Sequence, residues 1–161
     1  MKLVVLVLED EPDVREALER DLEPLAAHVR VEPAQDVADA RQVIGEVAAD
    51  GDLLAVVLAD HRLPGTTGVD FLVELAHDER TAHVATVLVT GQAGHADTVR
   101  AVNEAGLDHY VTKPWDPDEL VSLVRDELTS YVLAADIDPL PHLRALDAAR
   151  IMPSLRNRGD R

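Results

Sequence analysis

An open, doubly wound parallel α/β sheet is the fold class that the sequence predicts, and three observations predict it. Four short apolar runs each end in a reactive side chain: Leu3 to Leu8 before Glu9-Asp10, Leu54 to Ala59 before Asp60, Val84 to Val89 before Thr90, and Tyr110 to Thr112 before Lys113. Helical patterns fill the intervals, as βαβ units with right-handed crossovers require. The chain is 47% hydrophobic but only 2% aromatic, which suits layers of Val, Leu, Ile and Ala better than an aromatic-rich sandwich. Open parallel sheets build ligand sites just beyond the carboxyl ends of their strands, so the four endings are expected to meet at one edge.

The elements follow in order, as five strands and five helices. After the first strand, Pro12 suits a first helical position, and Val14, Leu18, Leu22 and Leu25 form an apolar stripe that Pro24 disrupts near its end. A short second strand is expected at about His28 to Glu32. Asp36 is placed to cap a second helix with Val37, Ala40, Ile44 and Val47 inward, and Asp50-Gly51-Asp52 supplies the exit turn. The third strand runs into Asp60, and the loop Leu63 to Gly68 leads to a helix from Val69 to Ala76. The fourth strand ends at Thr90, and a helix from Ala96 to Ala105 stops at Gly106. The last helix starts at Pro117, with Leu120, Val124, Leu128, Tyr131 and Ala135 as its stripe.

Composition narrows the function. The 161 residues fit one domain with a tail. Fifteen Lys and Arg against 31 Asp and Glu give a formal charge of −16, which argues against direct binding to nucleic acid. With no cysteine, neither disulfides nor thiolate metal sites are available. The first apolar run is too short to span a bilayer and is followed by acids, so it reads as a buried strand of a cytoplasmic protein with no membrane association.

The strand-end residues define a candidate chemistry. Glu9, Asp10 and Asp60 converge if the first and third strands are neighbours, and such oxygen-rich clusters suit Mg²⁺, which takes only one or two protein carboxylates and keeps several waters. A carboxylate such as Asp60 can accept a phosphoryl group, Lys113 can neutralise phosphoryl oxygens, and the Thr90 hydroxyl can donate to one. Each residue alone has an ordinary structural reading: helix capping for Glu9-Asp10, a surface ion pair for Asp60, a turn for Thr90, a solvated strand end for Lys113. The joint pattern favours the site.

Taken in order, Leu8-Glu9-Asp10-Glu11-Pro12, Leu58-Ala59-Asp60-His61-Arg62-Leu63-Pro64-Gly65, Val89-Thr90-Gly91 and Tyr110-Val111-Thr112-Lys113-Pro114-Trp115 resemble the receiver domain of bacterial two-component response regulators. The resemblance implies a flavodoxin-like five-stranded sheet, with residues 1–130 as the receiver domain. It also implies phosphorylation of Asp60 by a histidine kinase or phosphotransfer protein with Mg²⁺, and a changed interaction face around the fourth helix, fifth strand and last helix. Glu9, Asp10, Asp60 and the backbone carbonyl of Arg62 then hold the metal. Asp60, Thr90 and Lys113 carry the reaction, Thr90 and Tyr110 are the switch pair, and the Lys113-Pro114 peptide is cis. Thr67 departs from the pattern, since many receivers carry an acid or Asn there.

Residues 131–161 are read as a helical extension without a recognised output domain. Asp138 is a candidate N-cap and Pro139 a first helical residue, followed by Leu140, Leu143 and Leu146 and then by Arg150, Arg156, Arg158 and Arg161. The apolar continuation suggests a homodimer, and the downstream protein partner is not specified. A phosphorylation-independent adaptor is the alternative function, kept open by Thr67 and the tail. A hydrolase is disfavoured because no second acid stands two residues after Asp60, and a nucleotide dehydrogenase because no glycine-rich turn follows the first strand. His61, His77, His83, His95 and His109 show no metal-ligand spacing, so no zinc site is expected.

Overall fold

The computed structural model describes residues 1–91 and 94–159. Its five strands, β1 (Leu3–Leu8), β2 (Arg30–Ala34), β3 (Leu53–Ala59), β4 (Ala85–Thr90) and β5 (His109–Thr112), form one parallel sheet in the order β2-β1-β3-β4-β5. Continuous apolar runs are what a sheet covered on both faces demands. The period of two sorts β1 between two cores. Leu3, Val5 and Val7 face one core, and Val4, Leu6 and Leu8 face the other. The first core is closed by α1 (Pro12–Asp21), α2 (Glu23–Ala26) and α6 (Pro117–Ala134); the second by α3 (Val37–Ala49), α4 (Gly68–His77) and α5 (His95–Glu104).

Several expected boundaries move. The second strand lies at Arg30–Ala34 rather than His28 to Glu32. It contains Pro33, which an edge strand tolerates because half its backbone groups need no ladder partner. The first helical stripe is split, since α1 ends at Asp21 and Pro24 sits in the first turn of α2; Leu18, Leu22 and Leu25 still reach the core. The fourth long helix starts and stops one residue early, with Gly106 at φ 64 beyond its end. The Asp36 cap forms as expected, its carboxylate accepting the N–H of Asp39 at 2.7 Å. On α6 the stripe ends at Val132, one turn on from Leu128, while Tyr131 is half-buried and Ala135 exposed.

The tail differs most. Residues Leu140–Ala145 form a 3-10 turn, with Asp138 accepting the N–H of Leu140 at 3.1 Å, and a separate helix α7 follows at Ala148–Gly159. Three residues per turn put His142 and Ala145 on the buried side and Leu140 and Leu143 outside; of the three expected leucines, only Leu146 is buried. Ile151 is fully buried in the same core as Leu128 and Val132. The N–H of Asp147 donates to Thr129 Oγ1 at 2.8 Å, Arg150 pairs with Asp126 and reaches Ser130 Oγ, and Arg158 pairs with Asp136. Arg161 lies outside the described residues. Among the described residues no helix is long and apolar enough to cross a membrane.

Because Ile151 joins the first core, Ile151→Ala is expected to cost about 2–5 kcal/mol in urea unfolding. Arg158→Ala, which removes an exposed ion pair, is expected to leave the midpoint nearly unchanged. Equal effects for the two variants, read from the same unfolding curves, would mean that α7 is not part of the cooperative core.

Candidate functional site

The ladder hydrogen bonds run one residue beyond the strands and so aim the side chains that follow. The N–H of Glu9 donates to Ala34 O at 3.0 Å, that of Asp60 to Leu8 O at 3.0 Å, and that of Lys113 to Thr90 O at 3.3 Å. Since β1 and β3 are neighbours at the centre of the sheet, Glu9, Asp10 and Asp60 meet at its carboxyl edge, with an oxygen of each within 4.8 Å of the others. Glu9, Asp60 and Thr90 are buried, whereas Asp10 and the Arg62 side chain are exposed. Lys113 Nζ donates to Glu9 Oε2 at 2.9 Å and to Asp60 Oδ2 at 3.2 Å, so the expected repulsion between the acids is offset by a cation from β5.

Neither Glu9 nor Asp10 caps α1; Glu11 stands at that position without a side-chain cap. The N–H of Arg62 points at Asp60 Oδ1 at 3.4 Å. Tyr110 sits on β5 with 37% of its surface exposed, whereas Thr90 is buried. The Lys113-Pro114 peptide is cis. Trp115 packs on the first core, and its indole N–H donates to Asp21 Oδ2 at 2.9 Å, tying the loop after Lys113 to α1. Thr67 has a structural task of its own, capping α4 by accepting the N–H of Asp70 at 3.1 Å.

Burial pushes the Glu9 carboxyl up to about 7; the Lys113 hydrogen bond opposes this, and the charge of Asp60 adds to it. For Lys113, burial acts against the charged form but is outweighed by Glu9 and Asp60, which hold the ammonium above its ordinary range. The edge therefore offers hard oxygens, one strongly held cation and a buried hydroxyl, a set suited to a hard dication and a tetrahedral oxyanion.

Three contributors lie outside the expected site residues. Arg15 Nη1 donates to Glu9 O at 2.9 Å. An ideal Cβ on Gly68 would lie 1.9 Å from the Asp60 carbonyl oxygen, so α4 starts directly against the backbone of Asp60, and the Gly68 N–H donates to His61 O at 3.0 Å. His61 Nε2 lies 3.1 Å from Asp97 Oδ2, linking the residue after Asp60 to the first turn of α5.

Comparison with known proteins agrees with this geometry. The family model of the response regulator receiver domain matches residues 5–125. The hydrogenase transcriptional regulatory protein HoxA of Cupriavidus necator is 33% identical over 154 residues, covering 96% of this chain and 29% of its own length. The phosphate regulon transcriptional regulatory protein PhoB of Pseudomonas aeruginosa is 31% identical over 153 residues, covering 89% of this chain and 63% of its own. The chain thus spans less than two thirds of either relative. The signal receiver domain of an HD domain-containing protein from Pseudomonas fluorescens Pf-5 superposes with a TM-score of 0.73 at 21% identity, over 84% of this chain and 93% of that one, a likeness of fold.

Two measurements test the site's construction. Glu9 keeps its proton in the folded chain at pH values where the unfolded chain, near 4.5, has lost it. Its contribution to stability is therefore complete below about 4.5 and lost as pH rises through about 7. In chelator, the urea midpoint is expected to fall over this window, and Glu9→Gln to flatten the fall; an unchanged slope in the variant would refute the assignment. Separately, Gly68→Ala is expected to disrupt folding, while Gly45→Ala, with open space around it on α3, is expected to stabilise by about 0.5–1 kcal/mol. Similar midpoints for both would contradict the close approach at Asp60.

Proposed function

Because the chain belongs to the response regulator receiver domain family, we propose that it is a phosphorylation-dependent switch of a two-component system that accepts a phosphoryl group on Asp60 and then changes its partner contacts. The observation that carries the reading is Lys113 bridging the buried carboxylates of Glu9 and Asp60 beside Asp10. The donor is a phosphorylated histidine on a histidine kinase or phosphotransfer protein. An Asp60 carboxylate oxygen attacks phosphorus, the phosphorus–nitrogen bond breaks, and its electron pair returns to the donor imidazole. Lys113 Nζ, 3.2 Å from Asp60 Oδ2, stands beside the attacking carboxylate, where the phosphoryl oxygens would arrive.

The all-oxygen donor set fits Mg²⁺, which Glu9, Asp10 and Asp60 would hold together with the Arg62 backbone carbonyl. Mg²⁺ when bound supplies positive charge for the phosphoryl oxygens. Lys113 holds the same oxygens from the β5 side, and the Thr90 hydroxyl donates to one of them once Asp60 is modified. Thr90 then draws the chain after β4 toward Asp60, and Tyr110 turns inward into the space released. The face that changes is formed by α5, β5 and α6, where Val99, Val102 and Tyr110 are exposed.

Within this reading, residues 1–130 form the receiver and 131–161 an extension, in a cytoplasmic chain that does not itself bind nucleic acid. HoxA and PhoB are named as transcriptional regulators and are longer than this chain. The output proposed for this chain is a protein contact, with a homodimer or a downstream protein, in keeping with its formal charge of −16. The adaptor alternative loses one of its two supports, because Thr67 is accounted for by its cap on α4.

Incubation with a small phosphodonor and Mg²⁺, followed by intact mass measurement, is expected to show a gain of one phosphoryl group. That gain should vanish with chelator and in Asp60→Asn, and its rate should fall by about 100-fold in Lys113→Ala. No gain by the wild-type chain under any condition would leave the adaptor reading in its place.

A further inference from the structure

At the opposite end of β5 from Lys113 lies a second group of metal-ligating side chains. A ring nitrogen of His109, the first residue of β5, and one carboxylate oxygen each from Asp126 and Glu127 on α6 lie within 4.8 Å of one another. Four residues of strand separate His109 from Lys113, roughly 13 Å, so the two groups are independent. The α6 backbone here is held by Val124 and Leu128, both fully buried, which fixes where the two carboxylates emerge.

Glu127 is the unusual member. Its side chain is only 9% exposed, and its partner is His109 Nε2, 3.3 Å from Oε1. Among the described residues its one side-chain partner is His109, and Glu127 also lines a cavity of about 470 Å³ through which water can reach it. Burial and the charges of Asp108 and Asp126 push its carboxyl above the ordinary range, against His109 and Arg150. Asp108, Asp126 and Glu127 thus stand close together with two permanent cations nearby: Arg150, shared with the Asp126 carboxylate and the Asp126 backbone carbonyl, and Arg125, which donates to Arg144 O. His109 and Asp126 are about half exposed, and a cavity of about 330 Å³ lined by both, with Ser122 and Asp147, opens beside them. Solvent and an ion have access, and waters can complete a coordination sphere.

We propose that His109, Asp126 and Glu127 form a second cation site, taking a borderline first-row dication such as Zn²⁺ or Co²⁺ in preference to Mg²⁺. One imidazole with two carboxylates and open positions for water is a donor set that such ions accept, while the nitrogen ligand disfavours Mg²⁺. The ion adds a full positive charge to Glu127, whose side-chain partner in this structure is His109. Because Asp126 also holds Arg150 of α7, ligation joins β5, α6 and the tail at one point. The spacing of the histidines gave no sign of the site, since its ligands come together only through packing of α6 on β5.

The full chain is titrated with Co²⁺ in saturating Mg²⁺, followed by visible absorption. The proposal expects saturable binding of one Co²⁺ with a ligand-field band, weakened at least about tenfold in His109→Asn and in Glu127→Gln. His109 is partly exposed, so its variant tests the site without disturbing the core. Binding is expected to persist in Asp60→Asn and in His83→Asn. The proposal is overturned by no saturable binding, by equal affinity in His109→Asn, or by loss of binding in Asp60→Asn, which would place the ion at the phosphoryl site.

Discussion

Two carboxylates buried at the ends of neighbouring central strands need a cation, and Lys113 reaches both. Removing one partner of a buried ionic group leaves charge without compensation, at a cost of about 3–5 kcal/mol. The requirement reaches through the whole sheet. Glu9 and Asp60 are adjacent because β1 pairs with β3, and Lys113 arrives because β5 lies beyond β4 with its register set by Thr90 against Thr112. A strand slipped by one residue would turn its last side chain to the other face and open the cluster. The same arrangement that stabilises the resting edge makes it receptive to an oxyanion, since Lys113 can exchange carboxylate oxygens for phosphoryl ones without crossing the sheet.

The parts of the fold legible in the sequence are those in which burial acts on both faces of an element. β1, β3 and β4 are continuous apolar runs because each lies between two helix layers, and the residue after each run was thereby placed at the site. β2 was misplaced by two residues because it is half-exposed and lacks such a run; its pairing is set by β1 and by Arg30, which reaches Glu32, Asp50 and Asp52. The helical extension was expected to start at Pro139, and the separate start of α7 at Ala148 was not marked, for a similar reason. α7 carries Pro153 inside and buries only Ile151, so its anchor is one residue and a set of arginines rather than a stripe. Gly68 could not be read as part of the site at all, because its role is a backbone approach between segments that only the folded chain brings together.

The core achieves its density with aliphatic side chains and one buried phenylalanine, Phe71. Helices packed on such a sheet lie close to it, which leaves the ends of the layers as the places where further chain can be added. The tail uses one of them. Ala145, Leu146 and Ile151 extend the first core along α6 instead of starting another, so α6 is longer than the sheet needs because it provides a platform. The outer side of that platform, at Asp126, Thr129 and Ser130, is occupied by the tail. Any partner that uses α6 meets its first half, or must displace α7.

The same reasoning indicates which helix answers a change at Asp60. α4 begins against the Asp60 carbonyl, where Gly68 leaves no room to slide, and it buries Val69, Phe71, Leu72 and Leu75. α5 buries only Ala101, and among the described residues its ties to the rest are ionic and partly exposed: His61 to Asp97, and Asp70 to Arg100. Exposed pairs of this kind hold a position weakly, and segments with little buried apolar surface move at low cost. In the proposed switch, a pull on the chain that joins Thr90 to α5 would therefore be absorbed by α5, while α4 stays with the sheet. The compliance that the proposed switch asks of α5 would come from what it leaves unburied, and its exposed Val99 and Val102 lie on that element.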